Sequence, residues 1–367
     1  MADTVKIGII GTGQIGKQHL RRYGKLSGAQ IIAVADINEA EAKRVAEENG
    51  IPQAFGDFRE LLKLQEIQAV DVCVHNNLHA PISIAAMEAG KNVYCEKPLA
   101  GSYADARQMV EKARELDRKL YMQALNIFHP ETIAAKRLID DGHLGRLYYA
   151  KSSHYRRRGR CFVDGYGTPS FVQKEVAAGG ALYDMGIYSI TQLLYLLGNP
   201  QVLTVSGTTY QEIDMYEERR KQSNFDVEEL AVSLVRLEGG ITLFIEEAWA
   251  IHLGGTDGNK VVGSKGGITL NPFGFHTTVS DMEMDASFNL KSAMTRWGRV
   301  FPETGAYADR EAHWVAVQQG EVEMIPTAVI GMNMMLIAEG VYLSQELGRE
   351  VTAEEIAERS ASTAVKL

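Results

Sequence analysis

Val5-Lys6-Ile7-Gly8-Ile9-Ile10-Gly11-Thr12-Gly13-Gln14-Ile15-Gly16 decides the fold. The first half, Val5–Ile10, is a short apolar run that reads as a buried strand. The second half is G-x-G-x-x-G, and residues 17–26 beyond it have helical polarity. Only glycine lets the chain turn this tightly and bring backbone N–H groups up to a pyrophosphate. The start of the next helix then faces the negative charge. Asp36 ends a second apolar run, 31–35, twenty residues past Gly16. A carboxylate there can accept ribose hydroxyls and would repel a 2′-phosphate, which favours NAD over its phosphorylated form.

The pattern continues outward from this unit. Glu39–Asn49 is charged and helical, 69–74 is a third strand, 81–89 a third helix, Asn92–Cys95 a fourth strand, 102–116 a fourth helix with Ser102 as its cap, and 120–124 a fifth strand. Apolar strands alternating with helices predict a doubly wound parallel sheet of α/β class, a Rossmann domain over residues 1–125. After Asn126 the pattern changes. A helix over 130–141 leads into a strand, Leu147–Tyr155, and helical character returns at 180–197. Extended runs follow at Val202–Tyr210, 228–237, 241–249 and 260–269, several joined by Gly-rich turns, and a helix over 328–347 closes the chain. Residues 126–367 are therefore expected to form an α+β domain on a large, mostly antiparallel sheet, for substrate binding and oligomerisation.

Bulk properties bound the function. With 367 residues, 45% hydrophobic and 23% charged, the chain suits two globular domains. A formal net charge of −9 argues against a nucleic-acid partner, which requires a basic face. Cys73, Cys95 and Cys161 form no C-x-x-C pair, so a reducing cytoplasm is expected. The opening residues MADTVKIGII lack the basic start and apolar length of a signal peptide. No membrane span is expected, since the richest apolar stretch, 182–197, is interrupted by Asp184, Gly186 and Gln192. His252, His276 and His313 lack ligand spacing, so no metal is expected.

The fourth strand runs into Glu96-Lys97-Pro98, at the sheet end where ligands bind. A lysine there, buried beside a cationic nicotinamide, would have a lowered pKa and could move a carbinol proton, although the pattern alone reads first as a surface lysine on a turn. Residues 11–16, Asn76-Asn77-Leu78-His79, Ala89-Gly90-Lys91-Asn92-Val93 and Glu96-Lys97-Pro98 together resemble the glucose–fructose oxidoreductase / inositol dehydrogenase / rhizopine catabolism (Gfo/Idh/MocA) family. The resemblance covers nearly the whole chain, more loosely in its second half. It implies a Rossmann domain plus an α+β domain, NAD as cofactor and Lys97 as the catalytic lysine. It also implies that Asn76 and His79, with Glu96 and Lys97, lie near the nicotinamide. The family commonly has T-P-N-x-x-H in that loop, and here His75 replaces the proline.

Gly179-Gly180-Ala181-Leu182-Tyr183-Asp184-Met185-Gly186-Ile187-Tyr188 resembles the family segment G-G-x-x-x-D-x-G-x-H. Asp184 and Tyr188, four apart, share a helix face and could grip a hydroxyl and transfer its proton. Tyr188 stands where the polyol dehydrogenases have His, as in the glucose–fructose oxidoreductase and dihydrodiol dehydrogenase branches. A nearby Lys97 would lower its pKa. Thr191 replaces a further family acid. In His154-Tyr155-Arg156-Arg157-Arg158, alternation puts His154, Arg156 and Arg158 on one face and Tyr155 and Arg157 on the other. Either set could meet an oxygen-rich substrate or lie in solvent. Asn126 and His129 read equally as cleft residues or helix caps.

Taken together, the residues and the resemblance imply an NAD(H)-dependent oxidoreductase. It would act on a secondary hydroxyl of a sugar, a glycoside (C3 of a glucoside is one candidate) or an inositol-like polyol, and work as a dimer or tetramer. An NAD-dependent glycosidase acting by oxidation and elimination, and a dinucleotide-binding sensor without activity, are the alternatives.

Overall fold

The computed structural model describes residues 4–367; residues 1–3, part of the N-terminal stretch read above, lie outside it. Six short strands form the first sheet: β1 (Val5–Ile10), β2 (Ala29–Ala35), β3 (Gln53–Phe55), β4 (Ala69–Val72), β5 (Asn92–Cys95) and β6 (Leu120–Met122). All pairs are parallel, in the order β3-β2-β1-β4-β5-β6. β1 and β4 are buried almost throughout, which is why they are runs of Val, Ile and Ala rather than alternating sequences. The order reverses between β1 and β4, so a crevice opens beyond their carboxyl ends, between Gly11 and Cys73. β3, three half-buried residues at the sheet edge, carries no periodic signal and is absent from the sequence reading.

The helix after β4 starts at Asn76, five residues earlier than its sequence pattern shows, with Pro81 inside it. Pro81 has no N–H to give the Asn77 carbonyl one turn back. That carbonyl accepts the N–H of Val365, at 3.1 Å, so the C-terminal tail satisfies the bond that proline forfeits. Ser102 caps the helix Tyr103–Glu115 as expected, accepting the Asp105 N–H at 3.1 Å.

Nine strands make the second sheet: β7 (Leu147–Tyr155), β8 (Val202–Tyr210), β9 (Leu230–Leu237), β10 (Ile241–Ala248), β11 (Lys260–Gly263), β12 (Gly267–Leu270), β13 (Phe273–Val279), β14 (Met282–Ala286) and β15 (Val351–Thr352). Every pair is antiparallel except β7 with β10. One face is buried under the helices Ile187–Leu196 and Thr327–Leu347. The other carries half-exposed Tyr149, Val232, Leu234, Phe244 and Val262. The hairpin β13–β14 and the exposed helix Leu290–Val300 extend beyond what the sequence pattern showed.

The longest apolar segment is not 182–197 but the helix Thr327–Leu347, long and apolar enough to span a bilayer by composition alone. Of its most apolar window, 67% is buried inside the protein, against β8, β6 and Tyr103–Glu115. It is a core helix that ties the two sheets together.

Candidate active site

The loop 11–16 crosses from β1 into the helix Gln14–Tyr23, and each glycine has its own reason. Gly11 has φ +97°, and a Cβ there would stand 2.3 Å from the Cys73 carbonyl oxygen. A Cβ at Gly16 would stand 2.0 Å from the Gly11 carbonyl oxygen. At Gly13 a Cβ meets nothing within 4 Å, so the space before the loop is open. No side chain caps the helix start, which leaves its first amides for an external acceptor. Asp36 Oδ2 accepts the Thr12 N–H at 2.7 Å and the Thr12 hydroxyl at 3.0 Å, which pins the carboxylate to the edge of the loop. These features fit a dinucleotide pyrophosphate with a ribose beside Asp36.

From this loop a cavity of about 370 Å³ runs to the second domain. Its walls include Ile15, Asn76, Glu96, Lys97, Phe171, Asp184 and Tyr188. The structure thus brings together the lysine from the end of β5 and the two residues from the helix above it. Lys97 Nζ lies 3.1 Å from Asp184 Oδ1 and 4.7 Å from the centre of the Tyr188 ring. The segment Leu182–Gly186 is a π turn leading into Ile187–Leu196, and it directs both side chains at Lys97. Such turns recur at functional sites.

Charges in the trio differ from the sequence expectation. Burial opposes the Lys97 charge, but Asp184, then Tyr188 and Glu96, outweigh it and raise the lysine pKa. Burial likewise opposes ionisation of Asp184, yet Lys97, the Trp249 N–H and Arg156 hold its carboxyl below the usual range. For Tyr188, burial outweighs the pull of Lys97, so the phenol is raised rather than lowered. These directions favour an ammonium paired to a carboxylate beside a protonated phenol.

Other expected residues take different places. Asn76 donates from Nδ2 to the Ala177 carbonyl at 2.9 Å, bridging the two domains. His79 is fully buried, with Nδ1 2.7 Å from the Pro98 carbonyl, and burial lowers its pKa. It braces the loop that carries Lys97 and does not line the cavity. Glu96 accepts the Lys97 backbone N–H at 2.9 Å. Thr191 Oγ1 bonds back to the Ile187 carbonyl.

Asn126, His129 and His154 line a second, polar cavity of about 390 Å³ with Ser153 and Ser189. The strand ends at Tyr155, so alternation stops before the arginines. Arg156 donates to the Gly159 carbonyl and the Tyr166 hydroxyl, on the side of the site near Asp184. Arg158 is turned away, to Asp164 at 3.1 Å and the Asp214 carbonyl at 3.1 Å.

Sequence reasoning missed Trp249, fully buried, whose Nε1 donates to Asp184 Oδ2 at 3.0 Å. It ends the apolar run after β10 and gives no local signal of a polar partner 65 residues away. Cys161 was read only for disulfide potential. It lies 3.9 Å from the same carboxylate oxygen, and burial pushes its thiol up to about 12.

Residues 5–124 match the oxidoreductase family with NAD-binding Rossmann fold, and 132–269 match the GFO/IDH/MocA C-terminal domain. The chain belongs to the Gfo/Idh/MocA oxidoreductase family. Its first domain is an NAD-binding domain. The D-glucoside 3-dehydrogenase of Escherichia coli K12 is 28% identical over 358 residues, 95% of this chain and 98% of that protein. An inositol 2-dehydrogenase of Salmonella paratyphi B is 26% identical over 246 residues, 66% and 67% of the two chains. The fold is that of a levoglucosan dehydrogenase solved with NADH and levoglucosan, with TM-score 0.77, 22% identity, and 96% and 100% of the two chains covered.

Proposed function

We propose that this member of the family is an NAD-dependent dehydrogenase of a secondary sugar hydroxyl, with glycosides as the preferred class. The observation that carries the reading is the contact of Lys97 with both Asp184 and Tyr188 in the cavity that begins at the dinucleotide loop. The similarity to a D-glucoside 3-dehydrogenase over nearly the full length of both chains supports the glycoside class.

When bound, oxidised NAD supplies a hydride acceptor and a positive charge that opposes the Lys97 ammonium. Residues 11–16 would hold its pyrophosphate, Asp36 its adenosine ribose, and Asn76 the far end of the cavity. The Lys97 ammonium first releases its proton to solvent, and the neutral amine then takes the carbinol proton at Nζ. Asp184 fixes the position of that amine and is itself fixed by Trp249. Tyr188 keeps its own proton and donates to the reacting oxygen. Asn126, His154 and Arg156 would meet the remaining hydroxyls, in and beside the polar cavity, while Arg158 holds the surrounding loop. In the reverse direction Lys97 returns the proton to the alkoxide.

The division at residues 125 and 126, a reducing cytoplasmic setting and a homo-oligomer belong to the same reading. Three free cysteines suit that setting. The open sheet face, with Leu234, Phe244 and Tyr149 half-exposed, is the surface a second copy would cover.

The test mixes protein with stoichiometric NAD+ and a panel of free aldoses, inositols and O- and C-linked glucosides, and follows absorbance of the reduced nicotinamide. A rise with glucosides supports the reading. NAD binding without reduction on any member contradicts it.

A further inference from the structure

The floor of the cofactor cavity holds a charged cluster that the chemistry above does not use. His19 lies on the buried face of Gln14–Tyr23, three residues past Gly16, and is 1% exposed. Its Nδ1 is 2.8 Å from Asp71 Oδ2 on β4, and its Nε2 is 2.9 Å from Glu96 Oε1 beyond β5. Glu311, from the helix Arg310–Gln318 of the second domain, stands 3.9 Å from Nε2 and binds Arg22 at 2.9 Å. The other oxygen of Glu96 accepts the Lys97 N–H at 2.9 Å. A continuous chain of bonds therefore runs from β4 through the dinucleotide helix to the backbone of the catalytic lysine.

Carboxylates only accept, so a ring with one on each nitrogen donates from both and is an imidazolium. Burial opposes that charge, but Asp71 overcomes it and raises the ring pKa. Asp71, His19 and Cys73 also have metal-like spacing, with donor atoms within 4.8 Å of one another. A metal would need a bare ring nitrogen and a thiolate. The Cys73 thiol is instead driven well above its ordinary value, by burial and then by Asp71. The cluster is built to hold a proton.

We propose that His19 is a positioning residue: by bonding Asp71 and Glu96 at once, it locks the corner Glu96-Lys97-Pro98 to the helix that begins at the dinucleotide loop, and so sets where the Lys97 amine stands. Glutamine at position 19 can donate toward only one of the two carboxylates. The corner then loosens, the amine drifts from Asp184, and misplacement by about 1 Å costs on the order of 10²-fold in turnover. The bonds of Asp36 to the dinucleotide loop are untouched, so NAD affinity falls far less than turnover.

The activity side of this inference rests on the proposed dehydrogenase, so the experiment has a readout without turnover. His19→Gln and Glu96→Gln are compared with the wild-type protein in kcat, KM, NAD affinity, thermal melting, and labelling of the Lys97 amine by trace acetic anhydride in folded protein. The inference expects kcat to fall about 10- to 100-fold with KM and NAD affinity within about twofold. It expects Lys97 to label several-fold faster, and the double variant to be no worse than the worse single one. A lower melting temperature with kcat, its pH profile and Lys97 labelling unchanged would overturn it. If the wild-type protein oxidises no polyol but labelling still accelerates, the dehydrogenase reading fails and the role of His19 stands. Should His19→Gln not fold, Glu96→Gln weakens the same link while keeping the ring, and carries the same readouts.

Discussion

Single side chains in this protein do chemistry only through the partners that tertiary structure assigns them. Lys97 was legible as a candidate only through the family resemblance of Glu96-Lys97-Pro98, since the residues alone read as a surface lysine on a turn. Its charge state was not, because Asp184 lies 87 residues away and decides it. His19 and Trp249 were illegible for the same reason. One reads as an ordinary helix residue and the other as the end of a strand, until Asp71, Glu96 and Asp184 come against them. Glu247 yields a stability prediction at this scale. It is fully buried on β10, bonds Ser152, and burial pushes its pKa to about 8. The folded value lies above the ordinary carboxylate value of 4.5. Its contribution is thus complete below that value and is lost as pH rises through about 8. Glu247→Gln should therefore raise the melting temperature at pH 9 more than at pH 6. An equal shift at both would show that the group is not buried in its acid form.

Elements carried most of what the sequence could say, since the alternation of apolar strands and helices has one stable outcome, a covered parallel sheet. The dinucleotide loop separates two kinds of glycine. Gly16→Ala sets a Cβ against the Gly11 carbonyl at 2.0 Å, so stability and NAD binding should fall together. Gly13→Ala meets open space and should leave unfolding stability within about 0.5 kcal/mol of the wild-type value. Its methyl group enters the space taken by the pyrophosphate, so NAD affinity should fall tenfold or more. Titration by nucleotide fluorescence beside thermal melting checks both. Equal NAD affinity for Gly13→Ala would displace the pyrophosphate from this loop. What escaped the pattern was short or exposed: β3 has three residues, and the helix Leu290–Val300 buries none of its residues. Pro81 hid the start of its helix, because the bond that rescues it comes from Val365, far along the chain.

The whole molecule joins a cofactor domain to a sheet domain through Thr327–Leu347, and the site lies where they meet. A half-covered sheet face follows from that architecture. Phe244→Asp, at the middle of the face, should lower the mass seen by sedimentation and leave single-turnover reduction within about twofold. An unchanged mass would contradict the proposed contact between copies on this face. The central claim is that Lys97, held by Asp184 and beside Tyr188, moves the proton as hydride leaves a sugar carbon. The most direct measurement is single-turnover reduction of stoichiometric NAD+ by the best glucoside, for wild-type protein and Lys97→Ala, with NAD affinity measured on both. The account predicts equal NAD binding and a rate at least 10²-fold lower for Lys97→Ala, in the range typical of lost general acid–base groups. Full-rate reduction by Lys97→Ala would contradict it.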